Sequence, residues 1–381
     1  MIDRPSAEDA ALSTAVVVID QQALVENYSA LAARAAPGET AATVKANGYG
    51  LGIEQVAPPL WDAGCRTFFV ATPQEGIALR QLLSTPTIYI LDGLLPRTRD
   101  TYLAHDLTPC LGSLAEARAW SDSGRPAALH IDTGMCRLGL SPKAFEELLG
   151  DAALRDALDV TLLMSHFACA DDISDAMTVR QLARFDAMLA AARAHFPSAR
   201  GSLANSAGTI DAAVARYDLA RPGIALYGAE AINDLANPMT PAAQLFARVL
   251  AIRDDWAEDT VGYGAAYALG DVSRVATLGI GYADGLSRHL SVTTGEAGAR
   301  NGGGEVAVGD TRAPIIGRIS MDLTTIDVSH LGEDAIAVGD WVEIFGETVA
   351  VDEQARAAGT IGYELLTGLG PRVERRLRGG T

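Results

Sequence analysis

The sequence predicts an α/β chain with an N-terminal (β/α)8 barrel of the TIM type followed by a mainly β domain. Three observations carry this prediction. Eight short apolar runs alternate with helical patterns between about Thr14 and Gly228. From about Gln244 onward, apolar runs follow one another with only Gly- and Asp-containing turns between them. Finally, 381 residues exceed what one ordinary core organises. The expected domains are therefore residues 1–240 and 241–381, with a doubly wound open sheet as the alternative to the barrel.

In order, the barrel strands are ETAATVK, TFFVAT, PTIYILDG, TPCLGS, PAALHIDT, DVTLLMSHFA, GSLANSA and LARPGIALYG. Segments such as EQVAPPLWDAG, PQEGIALRQLL, AFEELLGDAALRDAL and QLARFDAMLAAARAHF lie between them, with apolar residues spaced by three and four, the helical period. An extra run, TAVVVI, precedes the first barrel strand and is free to pair elsewhere. The second domain reads as LFARVLAI, VATLGIGYA, TRAPIIGRI, LTTIDV, DWVEIFG and TVAV, and TGEAGARNGGGE reads as a flexible loop by composition.

Composition bounds the function. The content is 49% hydrophobic and 6% aromatic, that of a globular enzyme. A formal charge of −18 argues against nucleic acid and anionic membranes as partners. No apolar run is long enough to span a bilayer. MIDRPSAEDA lacks the basic and apolar regions of a signal peptide, so the expectation is a cytoplasmic protein. Cys65, Cys110, Cys136 and Cys169 are widely spaced, which fits reduced thiols and offers no zinc site.

A barrel carries its chemistry at the C-terminal ends of its strands. There the sequence places Lys45 after the first strand, Arg137 after the fifth and His166 after the sixth. Asn205 and Ser206 follow the seventh, and Arg221 and Gly223 the eighth. Each has an ordinary structural reading, as a solvated loop lysine, a core histidine or a turn residue. Their shared rim is what points to a site. Loops after strands seven and eight commonly hold a phosphate, with backbone N–H groups and hydroxyls as donors. A lysine across the rim can form an imine with an aldehyde. Pyridoxal phosphate meets both demands, whereas no GxGxxG follows the first strand and no Walker-type GKS or GKT occurs.

VKANGYGLG resembles the cofactor-attachment motif of alanine racemases, and the resemblance runs through nearly the whole chain. It continues in DTGMCRLGL, SHFACADD, ANSAGT, RPGIALYG, VGYGAAY, IGYADG, GRISMD, IGYEL and LGPRV. It implies a homodimer whose active site lies between the barrel of one chain and the β domain of the other. It implies that Lys45 holds pyridoxal phosphate and serves as the base for one enantiomer, with Tyr263 as the base on the opposite face. Arg137 would reach the cofactor's phenolic oxygen and the substrate carboxylate, which the N–H of Met321 also holds. Tyr49, Ser206, Gly223, Ile224 and Tyr363 match the phosphate site. Arg221 matches the residue facing the pyridine nitrogen, and His166 the support of Arg221 and of the tyrosine base. Tyr282 and Asp322 match the substrate entrance.

Three departures from the family pattern stand out. His130 occupies a position where many members carry a carbamylated lysine, so Arg137 needs another support, either a bound anion or His130 itself. Cys136 stands where glycine is common and Ser320 where cysteine is common. Leu51 replaces the usual histidine of the YGHG form. The implied function is interconversion of L- and D-alanine, supplying D-alanine for peptidoglycan. The alternative is a serine or broad-specificity amino-acid racemase with the same site. Pyridoxal-phosphate decarboxylases share a related barrel, but their acceptor cysteine and acidic partner for the pyridine nitrogen have no counterpart here. A catalytically silent pyridoxal-phosphate-binding protein would lack the β domain and Tyr263.

Overall fold

The computed structural model describes residues 12–211, 217–254, 258–294 and 300–378. Residues 295–299, in the first half of the loop expected from composition, lie outside the described residues, as does the N-terminal decapeptide. The chain divides into two compact units, the larger running through Leu24–Gly48 and Ile53–Thr240.

That unit is the barrel. Seven parallel strands follow in sequence order: Ala42–Thr43, Thr67–Val70, Thr87–Ile90, Thr108–Leu111, Pro126–His130, Asp159–Met164 and Arg200–Ser202. The eighth strand, Leu219–Ala220, closes the ring by pairing in parallel with Glu39–Thr40. On its other side Asp218 N–H donates to Gly201 O at 3.0 Å and Arg221 N–H to Ala204 O at 2.9 Å. All eight strands lie on the runs expected from the sequence. They are continuous apolar runs because helices cover one face and the barrel interior the other. That interior is filled by Ala41, Phe69, Tyr89, Cys110, Ala128, Leu162, Met164 and Leu219, with Phe69 and Tyr89 stacked at 4.8 Å between centroids. The barrel is therefore a packed core, and its chemistry is confined to its rims.

The second unit is an eight-stranded sheet, mostly antiparallel. Ala243–Asp254 is its spine, pairing with Ala15–Ile19, Trp341–Phe345 and Arg274–Leu278. A register shift between Val249 and Ala251 bends this long strand, as a bulge does, so it can serve several neighbours. The TAVVVI run belongs here: Ala15–Ile19 runs antiparallel to Ala243–Asp254 and parallel to Glu374–Leu377. The Tyr49–Gly52 loop also groups with this unit.

Two expectations for this unit fail. TVAV is not a strand, because the Glu343 carboxylate accepts the N–H groups of Thr348 and Val349 at 2.8 and 2.9 Å and folds the segment into a turn. Helices do occur here, at Val351–Ala357 and Gly362–Thr367, where the sequence read as strands alone.

Candidate active site

Lys45 follows the first barrel strand, beyond Val44, whose N–H is still bonded to Phe69 O at 2.9 Å. The chain then enters a left-handed turn, with φ of 54° at Ala46, 53° at Asn47 and 64° at Gly48. Burial lowers the Lys45 ammonium from its ordinary range and the charge of Arg137 lowers it further, while Glu75 and Asp92 oppose both. A lysine so placed holds a larger share of neutral, nucleophilic amine than a solvated one.

Arg137 sits in the loop after the fifth strand. The Asp132 carboxylate organises that loop by accepting Gly134 N–H at 2.8 Å and Cys136 N–H at 3.1 Å. Burial works against the Asp132 charge, yet these backbone donors hold its carboxyl below the usual range. The guanidinium of Arg137 is exposed and makes no ion pair among the described residues. His130 is buried and pushed down to about 4, by burial first and then by Arg221 and Arg137. His166 is pushed down to about 3 by burial and the charges of Arg221, Arg137 and Lys45. Both imidazoles are therefore neutral at pH 7.

Arg221 is the buried cation of the rim, 4% exposed. Its guanidinium donates to the Ser202 hydroxyl and the Ser165 carbonyl and lies 5.6 Å from the centroid of the Phe69 ring. Burial lowers it to about 10, which leaves it protonated at neutral pH. Thr133 and Ser165 share a hydroxyl hydrogen bond of 2.8 Å. Fully buried Gln181 binds Thr133 Oγ1 at 3.0 Å and His166 O at 2.8 Å, tying the loops after strands five and six together. After strand seven, Asn205 caps a short helix through Gly208 N–H. The adjacent Ser206 hydroxyl accepts Gly223 N–H at 2.8 Å and Ala225 N–H at 3.2 Å. The loops after strands seven and eight thus join, with Ile224 between the two amides.

The other predicted site residues lie in the β unit. Tyr263 is 70% exposed on a 3-10 turn, flanked by Gly262 at φ 78° and Gly264 at φ 75°. A side chain at Gly264 would meet only the movable end of Arg318, at 2.8 Å, so it is the left-handed φ that favours glycine there. Met321 and Tyr282 are exposed, on loops joined by Tyr282 N–H to Ser320 O at 3.1 Å and Ala283 N–H to Met321 O at 3.0 Å. Asp322 accepts from Arg372 Nη1 at 2.8 Å. Tyr49 and Tyr363 come together, with ring centroids 6.2 Å apart, and burial raises the Tyr49 phenol above its ordinary range. Leu51 is fully buried, Cys136 exposed.

The structure thus brings Lys45, Arg137, His130, His166 and Arg221 together electrostatically, and Ser206 with Gly223. The sequence reading passed over Glu75, Asp92, Asp132 and Gln181. Glu75 had one signal, its place three residues after Thr72 as a helix-capping pair. Gln181, inside a helix of low apolar contrast, had none. Among the described residues, no group of three or more His, Cys, Asp or Glu could hold a metal ion.

A (β/α)8 barrel with a desolvated lysine, two arginines and neutral imidazoles at the C-terminal ends of its strands defines a barrel enzyme working at that rim. Comparison with known proteins specifies which. The alanine racemase N-terminal domain model matches residues 19–231 and the alanine racemase C-terminal domain model residues 242–377. The alanine racemase of Methylobacterium nodulans is 45% identical over 365 residues, covering 94% of this chain and 95% of the relative. The biosynthetic alanine racemase of Agrobacterium fabrum is 43% identical, covering 94% and 93%. The alanine racemase structure from Bartonella henselae, with covalently bound pyridoxal phosphate, superposes with a TM-score of 0.87 at 35% identity, covering 96% and 99%. The chain belongs to the alanine racemase family and is an amino-acid racemase.

Proposed function

We propose that this enzyme interconverts L- and D-alanine with pyridoxal phosphate, using Lys45 and Tyr263 as bases on opposite faces of the substrate. The observation that carries the reading is the desolvated Lys45 amine at the end of the first barrel strand, with Arg137 pressing it toward the neutral form. The residues present suit the cofactor. An aldehyde is matched by a lysine whose burial favours free amine. A ring nitrogen is matched by the buried guanidinium of Arg221. A phosphate is matched by the Ser206 hydroxyl and the backbone amides around Gly223 and Ile224. When bound, pyridoxal phosphate supplies an electron sink that acidifies the α-carbon hydrogen.

Racemisation removes a proton from one face and returns one to the other, so two bases are needed. Lys45 Nζ holds the proton on one face and Tyr263 Oη on the other. A tyrosine ordinarily titrates near pH 10, so its phenol needs help from neighbours. His166, neutral and therefore able to accept a hydrogen bond, gives that help and supports Arg221, whose guanidinium donates to Ser202 and Ser165. Arg137 pairs with the substrate carboxylate through its forked donors, and the Met321 N–H holds the same group. Arg221 stays protonated at neutral pH and does not readily hand its proton to a ring nitrogen, which limits charge delocalisation and side reactions. The exposure of Tyr263 and Met321 supports a homodimer in which these residues of one chain serve the barrel rim of the other. Tyr282 and Asp322 then border the substrate entrance.

The product role is D-alanine supply for peptidoglycan in the cytoplasm. The biosynthetic name of the Agrobacterium relative supports the supply of D-alanine. The test follows α-proton exchange of L-alanine, L-serine and L-lysine in D2O with the pyridoxal-phosphate-loaded protein, with product chirality assigned. Exchange and D-isomer formation with alanine alone are expected. Comparable exchange with all three would replace this reading by a broad-specificity racemase, and no exchange would refute it.

A further inference from the structure

The turn after Lys45 is held in a conformation that most residues avoid. Ala46, Asn47, Gly48, Tyr49 and Gly50 have φ of 54°, 53°, 64°, 53° and 84°. Three of these five carry a side chain, and for L-residues the left-handed region is disfavoured by contact of Cβ with the following carbonyl. Such a run persists only where surrounding contacts over-determine it. Asn47 supplies one contact, its side-chain oxygen accepting Ile53 N–H at 2.9 Å.

Gly48 N–H donates to Val44 O at 2.9 Å, Gly50 O accepts from Arg375 at 2.8 and 3.1 Å, and a further contact comes from Glu75, on the helix after the second barrel strand. Its Oε1 accepts Ala46 N–H at 2.6 Å and Asn47 N–H at 3.4 Å. Its Oε2 accepts Ala71 N–H at 2.8 Å and Thr72 N–H at 3.3 Å. One carboxylate therefore gathers four amides from the loops after strands one and two. A helix-capping role accounts for Oε2 alone, since the capping box needs only Thr72 and Glu75. Oε1 reaches across to the residue that follows Lys45, and a full negative charge makes these hydrogen bonds strong. The same charge opposes the lowering of the Lys45 amine by burial and by Arg137.

We propose that Glu75 is a positioning residue for Lys45, clamping the left-handed turn so that the amine stands in one orientation at the rim, and keeping a negative charge beside it. The proposal rests on Lys45 being the cofactor lysine and a base, and its test separates the two. In the cofactor-stripped full-length protein, the rate at which Lys45 captures added pyridoxal phosphate is measured against pH by hydride trapping and peptide mass. Racemisation is measured in parallel on the loaded protein.

Glu75→Gln should slow both capture and racemisation roughly tenfold, as a displaced reacting group does. It should also move the pH dependence of capture downward, because a charge favouring the ammonium form is gone. Adding Ala46→Gly should restore several-fold of the capture rate, since glycine adopts the left-handed turn without the clamp. Thr72→Val, which removes the cap but leaves Oε1 untouched, should lower thermal stability and leave capture unchanged. If Glu75→Gln does not fold, Glu75→Asp keeps the charge and the cap but falls short of Ala46, and should slow capture with little shift in pH. Wild-type capture in both Glu75 variants, no rescue by Ala46→Gly, or an equal loss in Thr72→Val would each overturn the clamp. Absence of capture at Lys45 in the wild type would overturn the functional reading, and the clamp's purpose with it.

Discussion

The two rims of the barrel are built from similar cations and use them differently. At the N-terminal rim, Arg80, Arg125 and Arg200 line a cavity of about 300 Å3 together with Thr87, Thr108 and Tyr89. Each of these arginines is answered by an acid: Asp106 takes Arg80 and Arg125, and Glu39 takes Arg200. At the C-terminal rim, Lys45, Arg137 and Arg221 form no ion pair among the described residues, and the two histidines beside them are held neutral. A charge matched within the protein contributes to the fold and offers little to a ligand. Cations gathered without a direct ion pair, with acids such as Glu75 only partly offsetting them, raise one another's energy and are relieved by an anion from outside. A phosphate and a substrate carboxylate are such anions, so the lack of direct ion pairs among the described residues, more than the presence of arginines, separates the functional rim from the structural one.

The largest break in this contrast is expected from Lys45→Ala. Loss of the amine should cut racemisation by roughly 10³-fold or more, with no fall in melting temperature, since a desolvated cation is being removed. A variant with substantial racemisation would show that the rim's chemistry is carried elsewhere. Arg221→Glu comes next. It should lower racemisation roughly tenfold or more and raise the share of turnovers that end as keto acid, because an acid facing the cofactor ring lets its nitrogen hold a proton. Keto-acid yield per turnover, measured with a coupled dehydrogenase, is the readout. No increase would remove Arg221 from control of side reactions.

What could be read from the sequence follows the range of the interactions involved. The barrel strands were legible because a strand buried on both faces is a continuous apolar run, as in Thr67–Val70, all four residues of which are buried. Lys45, Arg137 and Arg221 stood out because they end or follow such runs. The partner of Ala15–Ile19 was hidden, since it lies more than two hundred residues away in sequence. TVAV failed because one side chain, Glu343, captures two amides and overrides β propensity. Glu75 was concealed for the same reason. Its capping role is local and visible, while its bond to Ala46 depends on two adjacent strand ends.

His130 sharpens the comparison through pH. Its folded-state value is about 4 against an ordinary 6.5, so between these values the unfolded chain binds a proton that the folded chain refuses. Stability should therefore fall as the pH drops from about 6.5 towards 4, by up to about 3 kcal/mol from this residue. Urea unfolding at pH 7 and pH 4.5 should show a smaller acid loss in His130→Gln than in the wild type. An equal loss in both would place the histidine's proton balance in error.

The smallest effects are expected at the N-terminal rim, and they test whether its charges are structural. Arg80 is well covered and donates to three carbonyls, His105 O at 3.2 Å, Ser84 O at 2.9 Å and Asp106 O at 2.7 Å. Arg80→Ala strands those acceptors and should cost about 2 kcal/mol of stability with kcat/KM unchanged. Arg125 pairs with Asp106 through side chains that are 47% and 65% exposed, where solvent screens the pair. Arg125→Ala should cost under about 1 kcal/mol, again without change in kcat/KM. Should either substitution impair racemisation while stability holds, the N-terminal rim would no longer be only structural, and charge matching would fail as the criterion that tells the two rims apart.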